Sequence, residues 1–221
     1  MPRKDALVAN EVYHVFTKSI AGFVVFNDDE DFMRIKDAVR YYQVKDLTSD
    51  FSSFLRRDKN EEGFKQSFLL EHSKKDKLAN IVSYCIMPTH IHLILKQKFD
   101  NGISTFMGNV LNSYSRYFNL RHKRKGPLWE GKFKNVLVKT DEQLLHLSRY
   151  IHLNPTSAGI INSPEKWRHS SYHEYLGNVA HNEKICYYDD CLTIPNDYKG
   201  FVEDRAAYQR ELAMIKHLIL E

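Results

Sequence analysis

Two apolar runs, Asn80–Met87 and His90–Leu95, are separated only by Pro88-Thr89, and this pairing most narrows what the chain can fold into. In the second run polar and apolar residues alternate. Side chains two apart on a strand share a face, so Ile91, Leu93 and Leu95 should enter a core while His90 and His92 project together from the other side. Proline lacks a backbone donor and belongs at the break between strands. The stretch therefore reads as two adjacent strands of a hairpin, or as one bent strand. A lone hairpin is not stable in water, so other elements must cover it.

Those elements are legible. Tyr13–Phe16 and Phe23–Phe26 read as strand segments around a short bend. Asp28–Asp31 opens a helix to about Tyr42, with Phe32, Ile35, Ala38 and Val39 on one face; the helix dipole favours acids in its first turn. Ile103–Leu120 carries apolar residues at helical spacing, Phe133–Val138 reads as a strand, and Asp141–Leu153 as a second amphipathic helix. A residue preceding proline avoids the α region, so Asn154, ahead of Pro155, is expected at the helix end. Lys45–Lys77 is polar and reads as a partly helical insertion. A Trp/Tyr-rich segment, Trp167–Tyr175, and a helix over Phe201–Ile219 complete the chain. The order strand, helix, strand, strand, helix, strand, helix predicts an α+β fold, an antiparallel sheet covered by helices.

With 221 residues the chain suits one domain, or one with an appendage. Its longest apolar runs, Ile91–Leu95 and Gly22–Phe26, fall far short of the ~20 residues needed to span a bilayer, so no membrane partner is expected. Met1–Asn10 lacks the apolar core of a secretory signal. Cys85, Cys186 and Cys191 form neither a disulfide framework nor a zinc pattern, and the expected location is the cytoplasm. Net charge is only +4, yet between Arg116 and Lys139 eight Lys/Arg face one acid, Glu130. Such one-sided charge suits a phosphate-binding surface, or a solvated basic loop.

Two stretches can carry chemistry. His90 and His92, fixed side by side, can share a metal ion or merely form a polar strand face. Tyr150 and Asn154 lie four apart on a helix and share a side of it. A phenol can act as a covalent nucleophile and an amide oxygen can complete a metal shell. Equally, Tyr150 can be a packing residue and Asn154 a helix terminator.

Taken together these stretches resemble a known family. His90-Ile91-His92 matches the His-hydrophobic-His signature of the HUH single-tyrosine transposases, and Tyr150-Ile-His-Leu-Asn-Pro-Thr-Ser-Ala-Gly159 resembles their second signature. Ser113–Asn119, Gly126–Phe133 and Trp167–Tyr172 are similar to segments of one branch, the REP-associated tyrosine transposases. The resemblance runs from about Tyr13 to Gly177. It implies a ferredoxin-like sheet with the histidines on a central strand, in a domain over residues 1–177 (with the insertion around 45–77), and a helical C-terminal extension over 178–221.

It also implies roles. Tyr150 would be the nucleophile of a DNA strand cleavage and rejoining reaction. His90, His92 and Asn154 would hold Mg²⁺ or Mn²⁺. Single-stranded or hairpin DNA at palindromic repeats would be the substrate, gripped by Arg116, Arg121, Lys123, Arg124, Lys125, Lys132 and Lys134. Trp129 and Phe133 could stack on bases or belong to the core; Tyr114 and Tyr117 read as packing or DNA contacts. His146, one turn before Tyr150, is a candidate base or a surface residue. The family includes both homodimers and monomers. The competing readings are a domesticated, non-catalytic hairpin-binding protein and a metal-dependent phosphohydrolase that uses water. The long Lys45–Lys77 stretch and the tail beyond Gly177 depart from the family pattern.

Overall fold

The computed structural model describes residues 5–57, 68 and 75–206. Within them the alternating runs form four strands, β1 (Val12–Lys18), β2 (Ala79–Met87), β3 (His90–Gln97) and β4 (Lys134–Val138). All pairings are antiparallel, and the order across the sheet is β2-β3-β1-β4. Six helices are present among the described residues: α1 (Asp29–Tyr42), α2 (Phe51–Arg57), α3 (Gly102–Arg121), α4 (Asp141–Ser157) and the short α5 (Tyr172–Tyr175) and α6 (Tyr198–Glu203). The succession β1-α1-β2-β3-α3-β4 in this strand order is the ferredoxin-like fold. No helix among the described residues is long and apolar enough to cross a membrane.

The sheet has two unlike faces. Ile91, Leu93 and Leu95 on β3, with Tyr13 and Val15 on β1, are buried on the core side. There α1 and α3 pack against one another, and α3 against β2 and β3. Arg121 fastens the helix pair by ion pairs to Asp28 at 2.8 Å, Glu30 at 3.0 Å and Asp31 at 2.7 Å. Asp31 is fully buried, so this guanidinium neutralises a carboxylate that would otherwise be stranded. On the opposite face α4 crosses β2 and β3, its His152 reaching Ser83 of β2.

The outer edge of β2 would expose unpaired amides and carbonyls. Here the Trp167–Tyr172 motif covers it. Ile86 N donates to His169 O at 2.9 Å, Ser171 N donates to Tyr84 O at 2.9 Å, and the Trp167 indole donates to Ile86 O.

Four expectations are corrected or bounded. Phe23–Phe26 is not a strand. β1 ends at Lys18, the backbone turns through positive φ at Ala21 and Gly22, and Val25 and Phe26 donate to the Pro88 carbonyl instead of joining the sheet. Helix α4 does not stop before Pro155 but runs to Ser157, with the proline inside it. Its stop is Gly159, at φ +69°, where Gly159 N donates to Thr156 O and Ile160 N to Pro155 O. This paired C-terminal bonding needs a left-handed residue, and glycine adopts that conformation without strain. Asn154 is therefore a helical residue one turn beyond Tyr150. Of the expected helix over Phe201–Ile219, the part from residue 207 lies outside the described residues, and the described part is helical at Tyr198–Glu203 and again at residue 206. In Lys45–Lys77, α2 and Phe68 are helical, and residues 58–67 and 69–74 lie outside the described set.

Candidate active site

Strand alternation and register bring three imidazoles to one face. In the β1–β3 ladder His92 stands opposite Phe16 and His90 opposite Lys18, and His14 lies one pleat along β1. The His90 and His92 rings are edge to face at 5.0 Å between centroids. His14 stacks on His92 at 5.1 Å, and its Nε2 lies 2.9 Å from His92 Nδ1. His90 Nδ1 is 3.0 Å from Thr89 Oγ1. Both β3 histidines thus use Nδ1 on a protein partner, and neither Nε2 has a hydrogen-bond partner among the described residues.

Helix α4 presents the phenol. The Tyr150 ring stands edge-on to His92, with centroids 6.2 Å apart, and is 42 % exposed. Partial burial raises its pKa above the ordinary phenol value, while a side-chain hydrogen bond with Asn154 acts in the opposite sense. Thus His90, His92, Tyr150 and Asn154, taken from stretches some sixty residues apart, form one connected constellation.

Burial also sets the charge state of the imidazoles. It lowers His90 to about 4, with a smaller contribution from Lys18. It lowers His92 to about 2, helped by His90, His14 and Lys18, and His14 to about 4. All three are neutral at pH 7 and keep lone pairs for a hydrogen or a cation. Among the described residues no three His, Cys, Asp or Glu side chains form a group able to hold a metal ion. The Asn154 amide, beside Tyr150, is a donor of a different class.

The basic residues separate in space. Lys132 and Lys134 border a pocket of ≈ 200 Å³ with Phe16, Lys18 and Glu130, next to the histidine face. Arg116, exposed on α3, lines a different pocket with Tyr42, Asp50 and Arg56. Arg121 is committed to the acids at the start of α1. Arg124 donates to Asn119 Oδ1 and Pro127 O and lies over the Phe23 ring, while Lys123 and Lys125 are exposed in the loop. Trp129 and Phe133 are buried, as is Tyr114, whose hydroxyl donates to Val25 O; Tyr117 bonds with Arg121. His146 engages Arg149 and Phe201.

Sequence reasoning missed His14 and Lys18. Both lie on the strand that includes Tyr13–Phe16, and strict alternation from the buried Tyr13 and Val15 places them on the histidine face. The signal was present, but only register with β3 turns it into proximity.

Residues 54–154 match the family model "Transposase IS200 like". The chain is 29 % identical over 102 residues to a Haemophilus influenzae protein named as a REP-associated tyrosine transposase, across 42 % of this chain and 58 % of that protein. The chain thus spans under two thirds of that relative's length. Its fold is similar, at a TM-score of 0.52 and 12 % identity, to a solved REP-associated tyrosine transposase bound to a REP hairpin, covering 89 % of this chain and 99 % of that one. Residues 54–154 are thus similar to the IS200-like transposases, and 102 residues of the chain to a REP-associated tyrosine transposase.

Proposed function

We propose that the chain cleaves and rejoins single-stranded DNA at or beside a hairpin, through a covalent link to Tyr150. The observation that carries this reading is an exposed phenol, edge-on to an imidazole pair that burial keeps neutral. A tyrosine placed for packing would not need such neighbours.

In the proposed reaction the Tyr150 oxygen bonds to phosphorus and gives up its proton, while the bond from phosphorus to the 3′ oxygen breaks. The departing oxygen leaves as a 3′ hydroxyl. The phosphotyrosine keeps the energy of the ester, so a second 3′ hydroxyl can attack it, release Tyr150 and join two strands without a nucleotide cofactor. His90, His92 and Asn154 would hold Mg²⁺ or Mn²⁺. The fit rests on the two imidazole Nε2 atoms, which have no hydrogen-bond partner among the described residues, and on the Asn154 amide beside Tyr150, whose oxygen is the kind of donor such an ion accepts. When bound, such an ion supplies positive charge to the phosphate and the departing oxygen. Imidazole suits Mn²⁺ better than Mg²⁺. Lys18, Lys132 and Lys134 would hold the strand by its phosphates, which positions it without reading its sequence.

The test is a denaturing gel with a labelled hairpin carrying a single-stranded flank. A covalent protein–DNA adduct that forms with Mn²⁺ and disappears in Tyr150→Phe is expected. Tight hairpin binding without adduct would instead establish a binding protein, and turnover surviving Tyr150→Phe a water-dependent hydrolase.

A further inference from the structure

We propose that His14 is a positioning residue for this site, accepting the Nδ1–H of His92 and so holding His92 in the tautomer with its lone pair on Nε2. The inference rests on the reading that His90 and His92 carry the metal.

Three observations converge. His14 Nε2 and His92 Nδ1 are 2.9 Å apart, and one of the two must donate. The rings stack at 20°, so rotating one is resisted by the other. His92 is only 8 % exposed, so water cannot readily replace a lost partner. A neutral imidazole carries one N–H and one lone pair. If Nδ1 donates to His14, Nε2 is left with the lone pair. If His14 donated instead, the lone pair would lie on Nδ1 and be consumed within the protein, and Nε2–H could not bind a cation. His14 does not join a third-ligand set, since no such group forms among the described residues. Its ring nitrogen is spent on His92. Thr89 does the equivalent work at His90, where its hydroxyl meets Nδ1. Partners of this kind orient metal-binding histidines, and their loss typically weakens metal affinity about 10- to 100-fold.

Two measurements on the full chain test this. The first needs no metal. Long-range proton–nitrogen NMR of the imidazoles at pH 7.5 should report His92 as the Nδ1–H tautomer in the wild type, shifted towards Nε2–H in His14→Ala. The second is calorimetric titration with Mn²⁺. His14→Ala should bind about 10- to 100-fold more weakly, at a melting temperature close to wild type. His14→Gln, whose amide oxygen can accept the same hydrogen, should recover most of the affinity. A wild-type His92 in the Nε2–H form, or a His14→Ala protein that binds Mn²⁺ like wild type while His92→Ala does not, overturns the proposal. Equal losses in His14→Ala and His14→Gln also overturn it, because a nitrogen ligand would then be what His14 supplies. The underlying metal reading fails separately, if wild type and His92→Ala take up Mn²⁺ alike.

Discussion

Two histidine clusters meet helix α4, and they are built to opposite ends. His152, fully buried, spends both ring nitrogens: Nδ1 on the Tyr198 hydroxyl at 2.8 Å, and Nε2 on Ser171 and Ser83 at 2.7 and 3.1 Å. His92, on the strand beneath, spends only Nδ1 and faces an exposed phenol. Burial strips both of charge, His152 to about 3 and His92 to about 2. The difference is satisfaction. A saturated polar cluster fixes structure, because every group removed strands another. A cluster with a lone pair to spare can accept something from outside.

The sharpest way to break that contrast is truncation. His152→Ala leaves a cavity and removes one partner from each of three buried hydroxyls, on Ser83, Ser171 and Tyr198, and should destabilise the chain by roughly 2–4 kcal/mol, read as a lower urea midpoint. His92→Ala should cost about 1 kcal/mol or less, since no buried partner except His14 is stranded, while abolishing the covalent adduct. Equal destabilisation by the two would erase the distinction.

Acid offers a second, smaller probe. Unfolded histidine protonates near 6.5, whereas burial holds His152 at about 3 and His169, stacked on Phe32 at 3.8 Å, at about 4. These folded values are depressed, so their contribution is intact above pH 6.5. It falls as pH drops from 6.5 towards 3, where only the unfolded chain takes up the proton. Each pH unit in that window costs about 1.4 kcal/mol per such histidine. Melting temperature should therefore decline steeply below pH 6, and less steeply in His169→Gln. A flat profile from pH 7 to 4 would contradict the burial of both rings.

The sealed cluster also shows why sequence reveals some features and hides others. The hairpin, α1 and α3 were legible because their apolar spacing is local and periodic. Tyr150 and Asn154 were legible as a pair because four residues on a helix return to the same side. His152 gave no sign of its role, since Ser83, Ser171 and Tyr198 are brought to it only by tertiary packing. His14 stayed hidden for the same reason: its strand could be read, but not the strand beside which it would lie. Pro155 misled because its local preference is real but weak at a helix end, where Gly159 supplies the stronger signal four residues later. Tyr198→Phe tests the tertiary part most simply. It keeps the ring and removes one hydroxyl shared by His152 and Ser148, so a loss of about 1–2 kcal/mol is expected, with adduct formation retained at temperatures where the chain is folded.

The smallest effect concerns the basic run, where contiguity in sequence was a poor guide to contiguity in space. Arg121 looked like a phosphate ligand by charge alone, yet three carboxylates hold it. Lys134 lies on β4 opposite Phe16, and so shares a face with His92. If a strand threads past Tyr150, its phosphates pass Lys134 and not Arg116, which opens onto the pocket beside Asp50 and Arg56. Lys134→Ala should then reduce the slope of log affinity against log salt for a single-stranded ligand by about 0.7, the value for one released counterion, and Arg116→Ala should leave it unchanged. The reverse pattern would put the DNA over α3, on the far side of the sheet from the phenol, and would separate binding from the proposed chemistry.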